Sequence, residues 1–317
     1  DNISLHRSQL PVAVAAVGSD NAIAGPADHS LPAGLKAQLR HYQETGFEWL
    51  YRHFLARTGC CLSDDMGLGK TVQTIALIQK YKETSRREPI TITRGGDRSG
   101  SLFSDDEMRG GDVAAVPGDG NIPYATVLVV SPASVVYNWR NELHRFAPQL
   151  TVNEYVGTAD ERQRKRQALM RWDVVLTTYQ TLRNDITYLS HFLFGIVVFD
   201  ESQYFKNRNS QVYQAVIRLQ SHHRLALSGT PLENSLSDLW SLMNVLNPLL
   251  LGSHQTFQHN YINPISQNMQ DLKAGILRTL IAPYFLRRSK EEVLSDLPAR
   301  QDELVLCEMT PEQQRAY

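Results

Sequence analysis

The most constraining feature of this 317-residue chain is a series of short apolar runs that alternate with segments of helical periodicity. Runs such as TVLVVS and IVVFD are apolar on both faces and rich in Val and Ile, which is typical of strands buried between two layers of helices. Since the order is strand, helix, strand, the pattern predicts a parallel α/β sheet. Polar clusters follow several of these runs, and ligands of such sheets bind beyond the carboxyl ends of the strands. The sequence therefore predicts a functional site along one edge of the sheet.

The chain divides into segments of different composition. Residues 1–34 are rich in Ala, Pro, Gly and Ser without clear periodicity, so we interpret them as a lead-in or the end of a preceding domain. From Leu35 the stretch LKAQLRHYQETGFEWLYRHFLA has apolar residues at helical spacing, which predicts an amphipathic helix. Residues 93–123 are dominated by Gly and Asp, so we expect a mobile surface insertion there. Because the start DNISLHRSQL lacks an initiator methionine and a secretion-signal pattern, we expect a fragment of a longer protein.

Composition narrows the class of protein. Hydrophobic residues make up 42% of the chain, which is enough for a sizeable core. The 32 basic and 33 acidic residues give a formal net charge of -1, so any nucleic acid must be held by a local patch rather than by a global positive field. The three cysteines match neither a disulfide framework nor a metal-ligand spacing, which favours a reducing, intracellular setting. The sequence has no apolar run of membrane-spanning length, so we expect no membrane partner.

The stretch SDDMGLGKTVQT has the residues of a phosphate-binding loop. Gly67 and Gly69 allow backbone N–H groups to approach a phosphate, and the following helix directs its positive end toward it. Lys70 would then reach the β- and γ-phosphates of a nucleotide, and Thr71 would bind magnesium. The general pattern has glycine where this chain has Asp64. This motif alone therefore leaves open an ordinary strand-to-helix turn with an exposed lysine.

A pair of carboxylates follows another apolar run, in IVVFDESQYFKN. Asp200 and Glu201 would lie together at the edge of the sheet, where paired negative charge is costly unless a cation is present. A magnesium–ATP complex supplies that cation. Asp200 would hold the ion, and Glu201 would orient and deprotonate the attacking water. The alternative is a helix N-terminus that carries acidic residues, but the lysine loop upstream favours the nucleotide site.

Taken in order, these segments resemble the Swi/Snf-type ATPases of helicase superfamily two, which translocate along double-stranded DNA and remodel protein–DNA complexes. LRHYQ looks like the family's adenine-reading segment, and DDMGLGKT is close to its form of the phosphate loop, including the non-glycine first position. Four further segments resemble later family motifs: LVVSPASVVYNWRNE, LTTYQTL, DESQYFKN and LALSGTPLENSLSDLWSLMNVLNP. Six matches in the family's order are highly specific.

The resemblance implies a RecA-like parallel sheet sandwiched by helices, the first helicase lobe of a P-loop NTPase, over residues 35–308. A helical extension at 249–300, which includes FLRRSKEEVLSDLPAR, would brace this lobe, and residues 309–317 would start a second lobe. The family's arginine fingers belong to that second lobe. We therefore expect the chain to bind ATP and Mg²⁺ but to hydrolyse ATP poorly by itself.

The resemblance also assigns site residues. Catalysis would depend on Lys70, Asp200 and Glu201. The nucleotide would contact Gln43, Asp65, Met66, Gly67, Leu68, Gly69, Lys70 and Thr71; magnesium would bind Thr71 and Asp200; DNA would contact Ser131, Thr177, Thr178, Lys206 and Asn207; and the coupling residues would be Gln203, Ser228, Gly229 and Thr230. For the DNA-contacting side chains, capping or turn chemistry at strand ends is the alternative. Many relatives carry His where this chain has Gln203, but an amide still donates and accepts, so we expect its link toward Ser228 and Thr230 to survive.

The resemblance therefore implies the ATP-binding lobe of an ATP-dependent double-stranded DNA translocase that remodels protein–DNA complexes. One alternative is a superfamily-two RNA or single-strand helicase, which shares the ATP chemistry but separates strands. Another is a nucleotide-gated, non-catalytic scaffold that holds RNA polymerase or another DNA-bound protein. The stretch LPAGLKAQLRHYQETGFEWL is more similar to bacterial branches of the family than to nuclear ones, so we expect a location in the bacterial cytoplasm, at the nucleoid.

Overall fold

The computed structural model describes residues 30–87, 123–229, 235–266 and 270–293. Four of the expected features lie wholly or mostly outside the described residues: the lead-in at 1–34, the insertion at 93–123, the expected coupling residue Thr230 and the start of a second lobe at 309–317. In the part of the chain that is described, no helix has the length and hydropathy that a membrane crossing requires.

Strands and helices alternate along most of the described chain. The strands are β1 (Cys60–Leu62), β2 (Arg86–Arg87), β3 (Pro123–Tyr124), β4 (Val127–Ser131), β5 (Val152–Glu154), β6 (Val174–Thr178), β7 (Leu193–Phe199), β8 (Gln220–Leu227) and β9 (Phe285–Leu286). The helices are α1 (His41–Leu55), α2 (Lys70–Thr84), α3 (Ala133–Phe146), α4 (Ala159–Lys165), α5 (Tyr179–Leu189), α6 (Gln211–Arg218), α7 (Leu236–Leu246), α8 (His254–Phe257), α9 (Asn263–Ser266), α10 (Gln270–Ile281) and α11 (Lys290–Val293).

Seven strands form one sheet in the order β5-β6-β4-β7-β8-β1-β9, and every neighbouring pair is parallel. The predicted parallel α/β sheet is therefore confirmed. Strands β2 and β3 pair separately, also in parallel. Because all seven strands run in one direction, their carboxyl ends lie along a single edge.

Helices cover both faces of the sheet, which explains why the strands are apolar on both faces. Val127 and Val129 of β4 pack in one core cluster with α1, α2 and α3. Leu128 and Val130 of the same strand point the other way and pack in a second cluster with α5, α6 and α7. Successive side chains of a strand alternate between its faces, so each strand contributes to both cores.

The extension expected at 249–300 begins as helices but returns to the sheet as β9. Phe285 and Leu286 pair in parallel with Cys61 and Leu62 of β1. Without β9, strand β1 would be the edge of the sheet, with unpaired N–H and C=O groups. The extension is therefore both a helical layer and an edge strand, and it brings the residues that follow β9 close to the segment that follows β1.

Two histidines are buried together, His53 on α1 and His223 on β8. His53 Nε2 lies 2.9 Å from the carbonyl oxygen of Pro283 and Nδ1 lies 2.8 Å from Thr58 Oγ1, so Nε2 donates and Nδ1 accepts. Among the described residues, neither ring nitrogen of His223 has a hydrogen-bond partner. Burial lowers the pKa of His53 to about 4 and the pKa of His223 to about 3. Both rings are therefore neutral at neutral pH.

These histidines predict a loss of stability in mild acid. Their pKa values fall from 6.5 in the unfolded chain to about 4 and about 3 in the fold, so the unfolded state binds more protons below pH 6.5. The stabilisation is complete above pH 6.5, and the free energy of unfolding falls by up to ~1.4 kcal/mol per pH unit for each histidine as the pH decreases. Urea unfolding between pH 7 and 4.5 measures how the free energy of unfolding depends on pH. In His223→Leu this slope should be smaller than in the wild type by the equivalent of about one proton.

His144→Leu, at an exposed position, is the control for this prediction. Equal slopes for the wild type, His223→Leu and His144→Leu would refute the assignment of His223.

Candidate functional site

The segments that follow β7, β8, β1 and β9 meet at the carboxyl edge of the sheet. In the order of the strands, they carry Asp200 and Glu201, then Ser228, then the phosphate loop, then Arg288. Sequence patterns predicted the first three of these clusters at strand ends but placed Arg288 in a helical extension. The parallel order makes all four neighbours.

The phosphate loop depends on two glycines in the left-handed region. Gly67 has φ 88° and Gly69 has φ 81°, conformations that side chains with a Cβ rarely adopt. A Cβ atom at Gly69 would lie 2.5 Å from Gln43 Nε2, so a larger residue there would also displace the Gln43 amide. Helix α2 starts at Lys70, directly after the second glycine, with Thr71 in its first turn. The loop therefore wraps the N-terminus of a helix, where backbone N–H groups are available to an anion.

The ammonium group of Lys70 lies inside this loop. It donates to the carbonyl oxygens of Asp64 at 2.6 Å and Asp65 at 3.3 Å. Burial lowers the pKa of Lys70, while the negative charges of Asp64, Glu201, Asp200 and Asp65 oppose that shift. The amine and the two carboxylates of the other motif therefore lie within electrostatic range on one edge of the sheet.

Asp200 is hydrogen-bonded to a side chain of α3, a helix that was assigned from the sequence to another motif. Its Oδ2 accepts a hydrogen bond from Trp139 Nε1 at 2.8 Å, and its Oδ1 accepts one from the Glu201 N–H at 3.0 Å. Burial raises the pKa of Asp200, the Trp139 hydrogen bond opposes this, and the charge of Glu201 raises the pKa further. A nearby cation would therefore stabilise the charged form of Asp200.

Glu201 occupies a strained backbone position, with φ 53°. Non-glycine residues at positive φ are uncommon and are often found at functional sites. One carboxylate oxygen of Glu201 accepts a hydrogen bond from Gln203 Nε2 at 2.8 Å. The Oε1 of Gln203 is buried without a hydrogen-bond partner among the described residues. The expected link from Gln203 toward Ser228 and Thr230 stays a prediction, because Thr230 is not described.

The segment after β8, in which coupling residues are expected, lies against the phosphate loop. A Cβ atom at Gly229 would lie 3.0 Å from Met66 Cγ and 3.9 Å from Lys70 Nζ. Gln43 connects a third segment to the loop, since its side chain accepts from the Arg40 N–H at 2.9 Å and donates to the Leu68 carbonyl at 3.1 Å. The role of Gln43 as a base contact stays a prediction.

The expected DNA contacts divide into buried and exposed residues. Ser131, Thr177 and Thr178 are buried at the ends of β4 and β6. Thr177 Oγ1 donates to the Tyr155 carbonyl at 2.9 Å, and the hydroxyl of Thr178 accepts from the Thr181 N–H at 3.0 Å as the N-cap of α5. These hydroxyls thus have the capping and turn contacts named as the alternative, and their contact with DNA stays a prediction. The other two residues, on the loop after β7, are exposed: Lys206 and Asn207.

Three aromatic residues at this edge were missed by sequence reasoning as site residues. Besides Trp139, Tyr179 is buried and donates from its hydroxyl to the Asp200 carbonyl at 2.8 Å. Its ring stacks on the half-exposed ring of Tyr204, with centroids 5.0 Å apart and planes 2° from parallel. Each lies within a motif, in NWRNE, TTYQTL or ESQYFKN, but their contacts join segments that are far apart in sequence.

Arg288 explains why this chain has an aspartate at position 64. The Asp64 side chain is fully buried and forms an ion pair with the Arg288 guanidinium. A buried carboxylate needs such a partner, and its loss typically costs about 3–5 kcal/mol. Arg288 follows β9, so the sequence alone offered no sign of this pairing.

Comparisons with known proteins agree with this geometry. The family model of the SNF2-related domain matches residues 42–317. The TATA-binding protein-associated factor BTAF1 of Arabidopsis thaliana is 34% identical over 305 residues, which are 92% of this chain and 13% of that protein. The putative ATP-dependent helicase/translocase YwqA of Bacillus subtilis (strain 168) is 33% identical over 293 residues, which are 92% of this chain and 28% of that protein.

A solved structure, the Sulfolobus solfataricus SWI2/SNF2 ATPase core in complex with dsDNA, matches with a TM-score of 0.68 and 34% identity over 92% of this chain. The chain spans 53% of that ATPase core and a smaller share of the curated relatives. Relatives occur in Arabidopsis, Bacillus and Sulfolobus alike, so the bacterial origin stays a prediction. On the family match and the shared RecA-like lobe, the chain belongs to the SNF2-related domain family.

Proposed function

We propose that this chain is the ATP-binding lobe of an ATP-dependent translocase on double-stranded DNA that remodels protein–DNA complexes. The observation that carries the proposal is that the parallel strand order brings Lys70 to the same edge of the sheet as Asp200 and Glu201, whose negative charges oppose the lowering of the pKa of Lys70 by burial. The similarity to a SWI2/SNF2 core that was solved with dsDNA supports double-stranded DNA as the track.

The residues at this edge fit a magnesium–nucleotide complex. The loop is a cradle in which a Cβ at Gly69 would meet Gln43, and the partly buried carboxylate of Asp200, whose pKa is raised by burial, favours a nearby cation. In the described part of the chain, no group of three or more His, Cys, Asp or Glu side chains is arranged to hold a metal ion. Thr71 and Asp200 would hold Mg²⁺, which takes oxygen ligands. When bound, it would neutralise charge on the phosphates.

The chain's own residues would bind the phosphates and accept the proton. Lys70 would exchange its contacts with the loop carbonyls for the β- and γ-phosphates. Gln203 holds one oxygen of Glu201, which gives the carboxylate a defined orientation for accepting the proton of the attacking water. An arginine from a second lobe would complete the charge clamp and contributes about 10³–10⁵ in turnover. The lobe alone should therefore bind ATP but hydrolyse it poorly.

The loop after β7 is the proposed DNA-facing surface. Lys206 and Asn207 are exposed there, and phosphate contacts suffice because a motor must step over any sequence. Tyr204, from the same loop, stacks on Tyr179, whose hydroxyl binds the Asp200 carbonyl. A contact with DNA at this loop would therefore reach the nucleotide site through two side chains.

Two other functions share parts of this site. A superfamily-two helicase acting on RNA or single strands would use the same nucleotide site, so stimulation of ATP hydrolysis by double-stranded DNA, single-stranded DNA and RNA separates the two proposals. Strongest stimulation by RNA or single strands in the full-length protein would favour the helicase. A non-catalytic scaffold for RNA polymerase or another DNA-bound partner would show no turnover, and the complete set of Lys70, Thr71, Asp200 and Glu201 argues against it.

Removing either the Lys70 ammonium or the Glu201 carboxylate should abolish ATP hydrolysis. In the full-length protein, Lys70→Ala loses the phosphate-binding ammonium, and Glu201→Gln loses the proton acceptor. DNA-stimulated phosphate release should fall by at least about 10²-fold in both. The exposed Lys36→Ala is the control. Robust turnover by Glu201→Gln would reject Glu201 as the base.

Trp139→Phe should weaken magnesium binding while keeping the ring in the core. The variant loses the hydrogen bond to Asp200 Oδ2, so the pKa of Asp200 should rise further. Loss of such an outer contact typically costs about 10-fold or more in metal affinity. Titrating Mg²⁺ into the protein with fluorescent ADP measures the effect. Trp172→Phe, before the amino end of β6, is the matched control, and an unchanged Mg²⁺ midpoint in Trp139→Phe contradicts the prediction.

Lys206→Ala tests the DNA-facing surface. Each lost phosphate contact reduces the slope of log affinity against log salt by about 0.9. Fluorescence anisotropy with duplex DNA across a salt series should show this reduction in the full-length protein, and Lys36→Ala should retain the full slope. An unchanged slope in Lys206→Ala would remove Lys206 from the surface.

A further inference from the structure

The residues that follow β9 run beside the phosphate loop and extend the sheet pairing beyond β1. The Ser63 N–H donates to the Leu286 carbonyl at 2.7 Å, and the Asp65 N–H donates to the Arg288 carbonyl at 3.0 Å. The Lys290 N–H donates to the Asp65 carboxylate at 3.1 Å. The loop is therefore fastened along one side by a segment from the far end of the described chain.

The guanidinium of Arg288 joins three elements around the loop. Its Nε donates to Asp64 Oδ1 at 3.0 Å, and its Nη2 donates to Oδ2 of the same carboxylate. Nη2 also donates to Gln73 Oε1 of α2 at 2.8 Å, and Nη1 donates to the Tyr42 carbonyl at the start of α1. The guanidinium carbon lies 5.4 Å from the centre of the Tyr42 ring. One side chain thus contacts the first position of the loop, the helix after it and the adenine-reading segment.

This cluster is tightly packed and needs the forked geometry of arginine. A Cβ atom at Gly46 would lie 1.9 Å from Gln73 Oε1 and 2.7 Å from Arg288 Nη2, so a larger residue at position 46 would displace the contact between these two side chains. A lysine would keep the charge but would lose the paired donors that match a carboxylate.

Asp64 connects this cluster to the phosphate-binding amine. Its carboxylate is held by Arg288, and its carbonyl oxygen accepts from Lys70 Nζ at 2.6 Å. Both contacts belong to one residue, so the position that Arg288 gives to Asp64 also sets the start of the loop and the place of the Lys70 ammonium. Neighbouring Arg287 is exposed at this edge.

We propose that Arg288 is a positioning residue for the β-phosphate of a bound nucleotide, acting through Asp64. The inference rests on the proposed binding of ATP at this loop. Arg288 itself does not need to touch the nucleotide. It keeps the loop N–H groups and Lys70 arranged before binding, which reduces the free energy that ordering would cost on binding.

Competition binding against fluorescent ADP, with ADP and AMP as competitors in the full-length protein, tests this role. Arg288→Gln should weaken ADP by about tenfold or more, the size of a lost hydrogen bond between charged groups. AMP has no β-phosphate, so its affinity should change much less, and the preference for ADP over AMP should fall. Arg288→Lys should show an intermediate loss, and Arg287→Gln should bind as the wild type does. Asp64→Asn should reproduce the loss, and the double variant Asp64→Asn/Arg288→Gln should be no weaker than the weaker single variant.

Thermal unfolding of each variant identifies those that remain folded at the assay temperature. If Arg288→Gln is unfolded at that temperature, the ADP and AMP affinities of Arg288→Lys and Asp64→Asn test the role of Arg288. A general loosening of the fold would weaken ADP and AMP equally, and that result overturns the inference. Losses that add in the double variant overturn it too, because Arg288 would then act independently of Asp64. If the wild-type protein binds neither ADP nor AMP, the proposed function fails. If the wild-type protein binds ADP, and both Arg288→Lys and Asp64→Asn bind ADP as tightly as the wild type does, only the role of Arg288 fails.

Discussion

Parallel pairing of β7 with β8 and of β8 with β1 is the constraint on which the site depends. The registers align Phe199, Ala226 and Cys61 side by side near the carboxyl ends of their strands. The segments that leave these strands therefore emerge at the same edge of the sheet. Antiparallel pairing would send neighbouring segments to opposite edges, and the amine of the phosphate loop could not lie near the two carboxylates. The helices that a buried parallel sheet requires on both faces then supply the side chains that support this edge.

Buried charge determines which supporting residues the edge requires. The Asp64 carboxylate is fully buried and is paired with Arg288. Asp200 is partly buried and accepts a hydrogen bond from Trp139, while the Lys70 ammonium donates to loop carbonyls. Each of these partners comes from a different element, so the site is stable only when β9, α3 and the phosphate loop are assembled together. In this way the extension after the core, through Arg288, supports the proposed nucleotide site as well as covering the sheet.

The residues expected to contact DNA differ in their exposure to solvent. Hydroxyls at the ends of β4 and β6 are buried and have internal partners, whereas the loop after β7 is exposed and carries Lys206. The loop begins with Asp200 and Glu201, so the proposed DNA-facing surface and the proposed proton acceptor belong to one short segment. The stacked pair of Tyr179 and Tyr204 adds a second connection to Asp200. The family includes an ATPase core that was solved with dsDNA. In this chain the stacked tyrosines form a short connection between the sites proposed for DNA and for the nucleotide.

Sequence patterns alone predicted the parallel sheet, the glycine-containing phosphate loop before a helix and the position of the two carboxylates after a buried strand. These features are local, because apolar periodicity, glycine conformation and strand ends depend on neighbouring residues. Four features came from the folded structure: β9 pairs with β1, Arg288 binds Asp64, Trp139 binds Asp200, and Thr177 is buried. The strand order and these contacts join residues tens to hundreds of positions apart, and a buried charge selects its partner by position in space, which a single sequence does not record.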